Sequence, residues 1–330
     1  MGSSGSDKRM GRRIKKPVFV ALLLAGIVLV SGVFMYAATP STRGGGLTVV
    51  SSFYPMYIAT ENIIGEAEGI TLKNLSEPET GCLHDYQLTP EDMKTLKTAN
   101  IFVVNGGGIE NFISDVVSED KDLKIVYAGH EDNEDHEEHE DHEDHEDHED
   151  HEGHDHSHEE NAHYWMSIPL YEEQIDNIAK GLAAADPDEK RRTVYEKNAK
   201  AYKDKLKELS SLEEEIKETS EGAHVIIFHE ALELLSEDLG METVYTMDLD
   251  EERQISAKEV AEVIEEVKNN DVRFILAEET YGSEMAERVK EETGVSVLYL
   301  DPLTRANGDT SAFAYIKKMK DNLLKIRDAL

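Results

Sequence analysis

Alternation of strand-like and helix-like segments most strongly restricts the fold of this chain. After residue 46, short apolar runs recur between stretches with helical periodicity. We predict two sets of four strands, at residues 47–51, 70–75, 101–105 and 124–129, and at 223–228, 242–248, 273–277 and 295–300. Helices such as 90–98 and 257–269 lie between them. Such alternation indicates parallel sheets covered by helices, so we predict an α/β protein with two similar lobes, each with a four-stranded, mainly parallel sheet and flanking helices.

A long helix is predicted between the two strand sets. Asp186 is a suitable N-cap, and Pro187 suits the first helical turn. Apolar residues then recur at helical spacing through Ile216, with charged residues on the other side. A helix of about 32 residues would span roughly 48 Å and could join the lobes as one stiff connector. Two shorter helices, broken near Ser210 and Ser211, are the alternative.

The N-terminus has the composition of a membrane segment. Residues 1–16 include six basic side chains, and residues 17–38 are 22 uncharged, mostly apolar residues, enough to cross a bilayer. Because the positive flank comes first, the N-terminus should stay in the cytoplasm and the rest should be exported. We predict an uncleaved anchor, with a cleaved signal peptide as the alternative. Residues 39–46 are predicted to be a flexible tether.

Charge is concentrated in one tract. Acidic residues outnumber basic ones 70 to 34, which argues against nucleic acid as a partner because phosphate binding needs a basic face. Residues 131–160 hold eighteen acidic residues and no Lys or Arg, and such a tract cannot bury enough apolar surface to fold. The tract also contains nine histidines: His136, His139, His142, His145, His148, His151, His154, His156 and His158. We interpret it as a disordered accessory loop with weak metal sites, the alternative being a merely solvated acidic loop.

These segments define the predicted domain organisation. The N-terminal lobe covers residues 47–185 and includes the disordered His/Asp/Glu-rich loop 130–160. The connecting helix covers residues 186–220, and the C-terminal lobe covers residues 221–330.

Candidate metal ligands follow several of the predicted strands. In open parallel sheets, ligands bind beyond the carboxyl ends of the strands. His84 follows the second strand, His163 follows the fourth strand and the acidic tract, and His229 ends the fifth. Carboxylates follow the seventh and eighth strands, at Glu278, Glu279 and Asp301. Three imidazoles with a carboxylate or water suit tetrahedral Zn²⁺, and nitrogen-rich ligation favours Zn²⁺ over Mn²⁺.

Plainer interpretations exist for these residues. Any one loop histidine taken alone could be a solvated side chain. Cys82 forms a C-x-H pair with His84, but we interpret it as a small buried residue. It is the only cysteine, so no internal disulfide is expected.

Five motifs extend the argument beyond spacing: "SFYPMY", "LHDYQLTPEDMKTLKTANIFVVNGGGIENF", "HYWMSIP", "FHEALELLSEDLGM" and "LYLDPL". In this order they resemble the zinc-binding, ZnuA-like branch of the cluster A-I solute-binding lipoproteins of metal ABC importers, from about residue 47 to the C-terminus. The resemblance implies two α/β lobes joined by one long helix, with the metal between them. It also implies His84, His163 and His229 as ligands, and Asp301 as the fourth, with Glu279 as its alternative.

The chain departs from the family pattern at three points. Leu83 replaces the usual proline or acidic residue before the first ligand, and Ser167 stands where aspartate is usual. The N-terminal segment also lacks the cysteine that accepts a lipid in many relatives.

We therefore expect a non-enzymatic, high-affinity Zn²⁺ receptor on the outer face of a prokaryotic cytoplasmic membrane. It would act as a monomer and pass the ion to an ABC permease with a separate ATPase subunit, because this chain has no phosphate-binding loop motif. The alternatives are an Mn²⁺ or Fe²⁺ receptor of the same family and a metal-storage or adhesin surface protein. A zinc hydrolase would need a poised general base, and no such signature is present.

Overall fold

The computed structural model describes residues 46–84, 86–130, 161–247, 249, 255–280 and 282–330. Residues 46–330 form one compact unit. The predicted basic leader, membrane segment and nearly all of the tether lie outside the described residues, and so does the predicted disordered loop after His130. None of the described helices is long and apolar enough to cross a membrane.

The N-terminal lobe is built on a parallel sheet. Its strands are β1 (Leu47–Ser51), β2 (Ile70–Asn74), β3 (Ile101–Val104) and β4 (Lys124–Tyr127), in the order β2-β1-β3-β4. The helices between them are α1 (Tyr54–Ile64), α2 (Pro90–Thr98) and α3 (Ile113–Glu119). Beyond the undescribed tract, a 3₁₀ turn (Tyr164–Met166) leads into α4 (Ile168–Ala185).

The connecting helix α5 is continuous from Glu189 to Ser220, and its 32 residues include Ser210 and Ser211 without a break. The predicted N-cap is wrong: Asp188 caps the helix, since its side chain accepts from the backbone N–H groups of Lys190 and Arg191. The Asp186 carboxylate instead accepts from the Arg191 guanidinium at 2.6 and 2.7 Å. The first turn therefore begins two residues later than predicted.

The C-terminal lobe repeats the topology of the first. Its strands are β5 (His224–Ile227), β6 (Glu242–Thr246), β7 (Phe274–Ala277) and β8 (Ser296–Tyr299), all parallel, in the order β6-β5-β7-β8. A 3₁₀ turn (Glu230–Leu232) is followed by α6 (Glu233–Asp238), α7 (Ala257–Asn269), α8 (Ser283–Thr293) and α9 (Ala314–Ala329). The predicted α/β architecture of two similar lobes and one long connecting helix is confirmed.

Two hydrophobic clusters form the core, and the larger one extends over both lobes. The larger one runs from the N-terminal sheet through α5 to one face of β5, where it includes Val225 and Ile227. The smaller one lies on the opposite face of β5, where Ile226 and Phe228 pack. Because successive strand residues point to opposite faces, β5 is buried on both sides. His229, two residues beyond the end of the strand, is thereby held at a well-defined place.

Candidate metal centre

The loop after β2 carries the first predicted ligand, His84. Leu83 is fully buried and anchors this loop in the larger core, between Cys82 and His84. The Asn111 amide donates to the His84 carbonyl at 3.1 Å. Farther along, Thr89 and Asp92 form a capping box that begins α2. Packing and hydrogen bonds near its end therefore fix the position of this loop.

His163 lies in the turn before α4 and is completely buried. Its Nδ1 is 2.9 Å from Oδ1 of Asn161. The Asn161 amide nitrogen donates to the Glu230 carbonyl and to Glu233, so Oδ1 must be the acceptor for His163. The proton of neutral His163 therefore sits on Nδ1, and Nε2 presents a lone pair. Burial lowers the pKa of His163 well below its usual value, and the nearby imidazoles of His229 and His84 lower it further.

Trp165 fixes the short turn that contains His163. Its indole N–H donates to the Pro302 carbonyl at 2.8 Å, and its ring packs edge-on against Phe53 with centroids 5.0 Å apart. The His163 and Trp165 ring centroids are 5.1 Å apart. The tryptophan thus joins the His163 turn to the segment that follows β8.

His229 lies two residues beyond the end of β5 and is 3% exposed. Because β5 and β7 are neighbours and Ile227 pairs with Leu276, Glu278 occupies the equivalent position after β7. Its Oε1 accepts a hydrogen bond from Nδ1 of His229. Among the described residues, Nε2 of His229 has no hydrogen-bond partner although it is buried. This imidazole also directs a lone pair from Nε2 into the protein interior.

The three predicted histidines come together from distant parts of the chain. Nε2 of His84 and Nε2 of His163 are 3.4 Å apart, and the His163 and His229 ring centroids are 5.3 Å apart. In a tetrahedral site with Zn–N bonds of about 2.0–2.1 Å, two nitrogen ligands would be separated by about 3.3–3.4 Å. The spacing of His84 and His163 therefore fits two ligands of one ion.

Glu230 adds negative charge beside these rings. Its Oε1 is 3.3 Å from Nε2 of His84 and 3.6 Å from Nδ1 of His163. Hydrogen bonds to Cys82 and to Glu230 raise the pKa of His84 to about 10. The hydrogen bond from His84 in turn lowers the pKa of Glu230. A cation that binds here would replace the proton on His84.

Cys82 is the residue that the sequence analysis missed. Its Sγ lies 3.5 Å from Nε2 of His163. One potential ligand atom from each of Cys82, His84 and His163 lies within 4.8 Å of the other two; His229 borders this group but is not part of it. In the sequence, only the C-x-H spacing after a strand indicated that Cys82 could be a ligand. The contact with His163 is what makes that spacing significant.

Asp301 and Glu279 occupy a neighbouring region. The Asp301 carboxylate accepts from Lys318 at 2.6 Å, from Asn307 at 3.2 Å and from the Leu303 N–H at 2.8 Å. Glu278, Glu279 and Asp301 line a cavity of about 310 Å³. Among the contacts between described residues, none joins Asp301 to the three imidazoles. Its role as fourth ligand stays a prediction. The nine accessory histidines lie outside the described residues.

Residues 49–329 match the family described as "ZnuA: Zinc-uptake complex component A periplasmic". The chain belongs to this family. Its members are periplasmic metal-binding receptors of ABC import systems rather than enzymes, so the hydrolase alternative is wrong.

Individual relatives differ in the metal that their names state. The chain is 28% identical to the high-affinity zinc uptake system protein ZnuA of Bacillus subtilis, over 93% of the chain and 97% of that protein. It is 28% identical to the zinc-binding lipoprotein AdcA of Streptococcus pneumoniae, over 93% of the chain but only 60% of AdcA. It is 27% identical to the iron-binding protein YfeA of Yersinia pestis, over 94% of the chain and 96% of YfeA.

Solved structures share the fold. FpvC of Pseudomonas aeruginosa, solved with Ni²⁺ and also with Mn²⁺, is 22% identical; the Ni²⁺ form has a TM-score of 0.68 over 86% of this chain and 96% of FpvC. The laminin-binding protein Lmb of Streptococcus agalactiae, described as an adhesin with metal-transporting activity, is 23% identical with a TM-score of 0.65, over 86% of this chain and 99% of Lmb. These likenesses confirm the fold alone. The metal has to be inferred from the site.

Proposed function

We propose that this protein is the extracytoplasmic Zn²⁺ receptor of an ABC importer. It binds the ion with His84, His163 and His229 and passes it to a membrane permease powered by a separate ATPase subunit. The convergence of the three imidazoles carries the proposal: two of them present unprotonated Nε2 atoms in a buried setting, and the third lies 3.4 Å from one of these. The protein acts as a monomer, held at the outer face of the membrane by its N-terminal segment.

The donor set supports zinc over manganese or iron. Imidazole is a good ligand for Zn²⁺, whereas Mn²⁺ prefers carboxylate, carbonyl and water oxygens. Two of the nearby carboxylates are already engaged: Glu278 accepts from His229, and Asp301 pairs with Lys318. A site that favoured Mn²⁺ would leave such carboxylates available to the ion.

Capture and release require the lobes or their loops to move. His84 and His163 belong to the N-terminal lobe and His229 to the C-terminal lobe, so opening the cleft separates the ligands. The Asn161 amide crosses the cleft to the Glu230 carbonyl at 2.9 Å and to Glu233 at 3.1 Å. Opening must break these bonds. The continuous helix α5 limits the movement to a modest rearrangement.

The decisive test is His229→Ala, with His224→Ala as the matched control. His224 lies at the opposite end of the same strand and contacts Asn270 and Glu242. Loss of a group that only orients a ligand costs about 10–100-fold in metal affinity. His229→Ala removes a proposed ligand itself, so it should raise the Kd for Zn²⁺ more than about 100-fold. His224→Ala should leave it unchanged.

A second readout separates transport from storage. Cells that depend on this importer should lose uptake of radioactive zinc with His229→Ala and retain it with His224→Ala. Unchanged Zn²⁺ affinity in His229→Ala would remove this residue from the site. Unchanged uptake despite lost affinity would favour the storage or adhesin alternative. A purified protein that contains manganese or iron instead of zinc would favour the same-family alternative.

A further inference from the structure

We propose that Cys82 is a fourth protein ligand of the transported ion, so that Zn²⁺ is held by three imidazoles and one thiolate. This inference rests on the proposed function, because it requires that the histidines hold the ion. It assigns to Cys82 a role in choosing the metal, since thiolates favour zinc whereas carboxylates suit manganese.

The distances match a tetrahedron with one sulfur corner. With a Zn–S bond of about 2.3 Å and Zn–N bonds of about 2.0–2.1 Å, a sulfur and a nitrogen ligand would lie about 3.6 Å apart. Sγ of Cys82 is 3.5 Å from Nε2 of His163, and the nitrogens of His163 and His84 are 3.4 Å apart. Two edges that share the His163 nitrogen are therefore already formed. The third edge among these three donors, between Cys82 and His84, is at most 4.8 Å and shortens as the ion binds.

A second observation points to the same place. His229 is buried, and among the described residues its Nε2 lacks a hydrogen-bond partner. Its ring lies beside His163, the residue that contacts both Cys82 and His84. A buried nitrogen lone pair without a partner costs free energy, and a cation at the centre of this group would use it. The thiol thus belongs to a group of three donors, with Cys82, His84 and His163, that the unpartnered nitrogen of His229 borders.

The nearby carboxylates are less suited to the fourth position. Asp301 is paired with Lys318, and Glu278 is paired with His229. Glu230 is the closest competitor, with Oε1 3.3 Å from Nε2 of His84, but its side chain is 38% exposed and remains open to water. The thiol is half-buried and lies against the fully buried ring of His163.

Coordination changes the protonation of the thiol. The S–H bond breaks, the sulfur keeps the electron pair and donates it to the cation, and the proton leaves to the solvent. The resulting thiolate contributes one negative charge, which offsets part of the charge of Zn²⁺. No oxidant or reductant is involved.

Cobalt substitution tests this directly. The full-length protein is purified in detergent, freed of metal and titrated with Co²⁺ alone. A thiolate bound to Co²⁺ gives a near-ultraviolet charge-transfer band, and Cys82 is the only cysteine in the chain, so the acidic tract cannot produce that band. We expect the band at the first equivalent of Co²⁺, together with the visible absorption of tetrahedral cobalt. Cys82→Ser should abolish the charge-transfer band and retain tetrahedral cobalt.

Affinities give an independent measure. Cys82→Ser should raise the Kd for Zn²⁺ at least about 10-fold and leave that for Mn²⁺ nearly unchanged. Asp301→Asn and Glu230→Gln serve as controls and should change the Zn²⁺ Kd less than Cys82→Ser. Because the cobalt spectrum of the wild type needs no variant, the test holds even if Cys82→Ser folds poorly.

The outcomes are distinguishable. Tetrahedral cobalt without a thiolate band in the wild type would overturn the role of Cys82 and leave the proposed function intact. A larger loss in Glu230→Gln or Asp301→Asn than in Cys82→Ser would place a carboxylate in the fourth position and also overturn it. Failure of the wild type to bind Co²⁺ or Zn²⁺ at all would overturn the proposed function itself.

Discussion

The two lobes share a strand order, yet they present different chemistry at the carboxyl ends of their strands. The N-terminal lobe contributes two imidazoles and a thiol, whereas the C-terminal lobe contributes one imidazole surrounded by carboxylates. His163 is oriented by the neutral amide of Asn161, and His229 by the buried carboxylate of Glu278. A repeated scaffold therefore yields two unequal halves of the proposed site, because the chemistry resides in the loops beyond the strands.

The two ends of the connecting helix α5 also differ, in whether the buried carboxylates near them have hydrogen-bond partners. Asp186, just before the helix, accepts from Arg191 and from Tyr195, the latter at 2.6 Å. Near the other end, Glu213 and Asp238 each have a buried carboxylate oxygen without a hydrogen-bond partner among the described residues. The N-terminal end of the connector is held by a fully paired charge, and the C-terminal end carries two acidic groups that repel each other.

The largest effect on stability is expected at the paired end. Asp186→Asn leaves the Arg191 guanidinium without its closest anionic partner, and breaking a buried ion pair on one side costs about 3 kcal/mol. Asp188→Asn is the control, because asparagine is an equally good N-cap and Asp188, which is only half-buried, lies farther from Arg191, at 3.6 Å. Urea unfolding at pH 7 measures both. Equal stability of the two variants would contradict the contrast between the two ends.

The pH dependence of this pair has a definite sign. Burial alone would raise the pKa of Asp186, but hydrogen bonds from Arg191 and Tyr195 hold it at about 2. Since the folded-state pKa lies below the usual value of about 3.9, the pair contributes fully above that value. Its contribution is lost as pH falls towards 2, so the difference between wild type and Asp186→Asn should shrink over this range.

The next effect compares the groups that orient the two buried imidazoles. Glu278→Gln keeps the shape of the side chain and removes the negative charge beside Nδ1 of His229, so the Zn²⁺ Kd should rise about 10–100-fold. Asn161→Ala removes a neutral acceptor from His163, and the rise in Zn²⁺ Kd that it causes should lie at the lower end of that range. Competition with a zinc chelator measures both Kd values. A larger loss in Asn161→Ala would show that orientation matters more than charge.

The smallest effect is expected at the unpaired end of α5. Burial, followed by the charge of Asp238, raises the pKa of Glu213 to about 7. Between the usual value of about 4.3 and pH 7, folded Glu213 holds a proton that the unfolded chain has lost, so its contribution to stability falls as pH rises through this range. Glu213→Gln should therefore stabilise the protein by about 1 kcal/mol at pH 8 and by less at pH 5.

The control for this prediction is Glu215→Gln, an exposed residue on the same helix. It should change the free energy of unfolding by no more than about 0.5 kcal/mol at either pH. Thermal unfolding at pH 5 and pH 8 distinguishes the two variants. A destabilising effect of Glu213→Gln at pH 8 would mean that the carboxylate is favourably solvated in the folded state.

Much of the fold could be predicted from local patterns. Apolar runs and capping residues identified all eight strands within two residues at either end, and α2 and α7 at their observed bounds, because these elements follow from periodicity and local hydrogen bonding. The start of α5 could not be predicted in this way. Asp186 and Asp188 are both good N-caps by residue type, and only the packing of Arg191 and Tyr195 around the Asp186 carboxylate decides between them.

The site shows the same division. The amino-acid sequence alone indicated that His84, His163 and His229 follow strands of parallel sheets, where ligands bind. It could not indicate that Sγ of Cys82 contacts His163, or that Lys318 forms an ion pair with the Asp301 carboxylate. Each contact joins residues from different elements of the chain. Periodicity determines which residues lie at a strand end. Which side chains then contact one another depends on how the loops pack within and between the lobes, and the tertiary structure alone decided it.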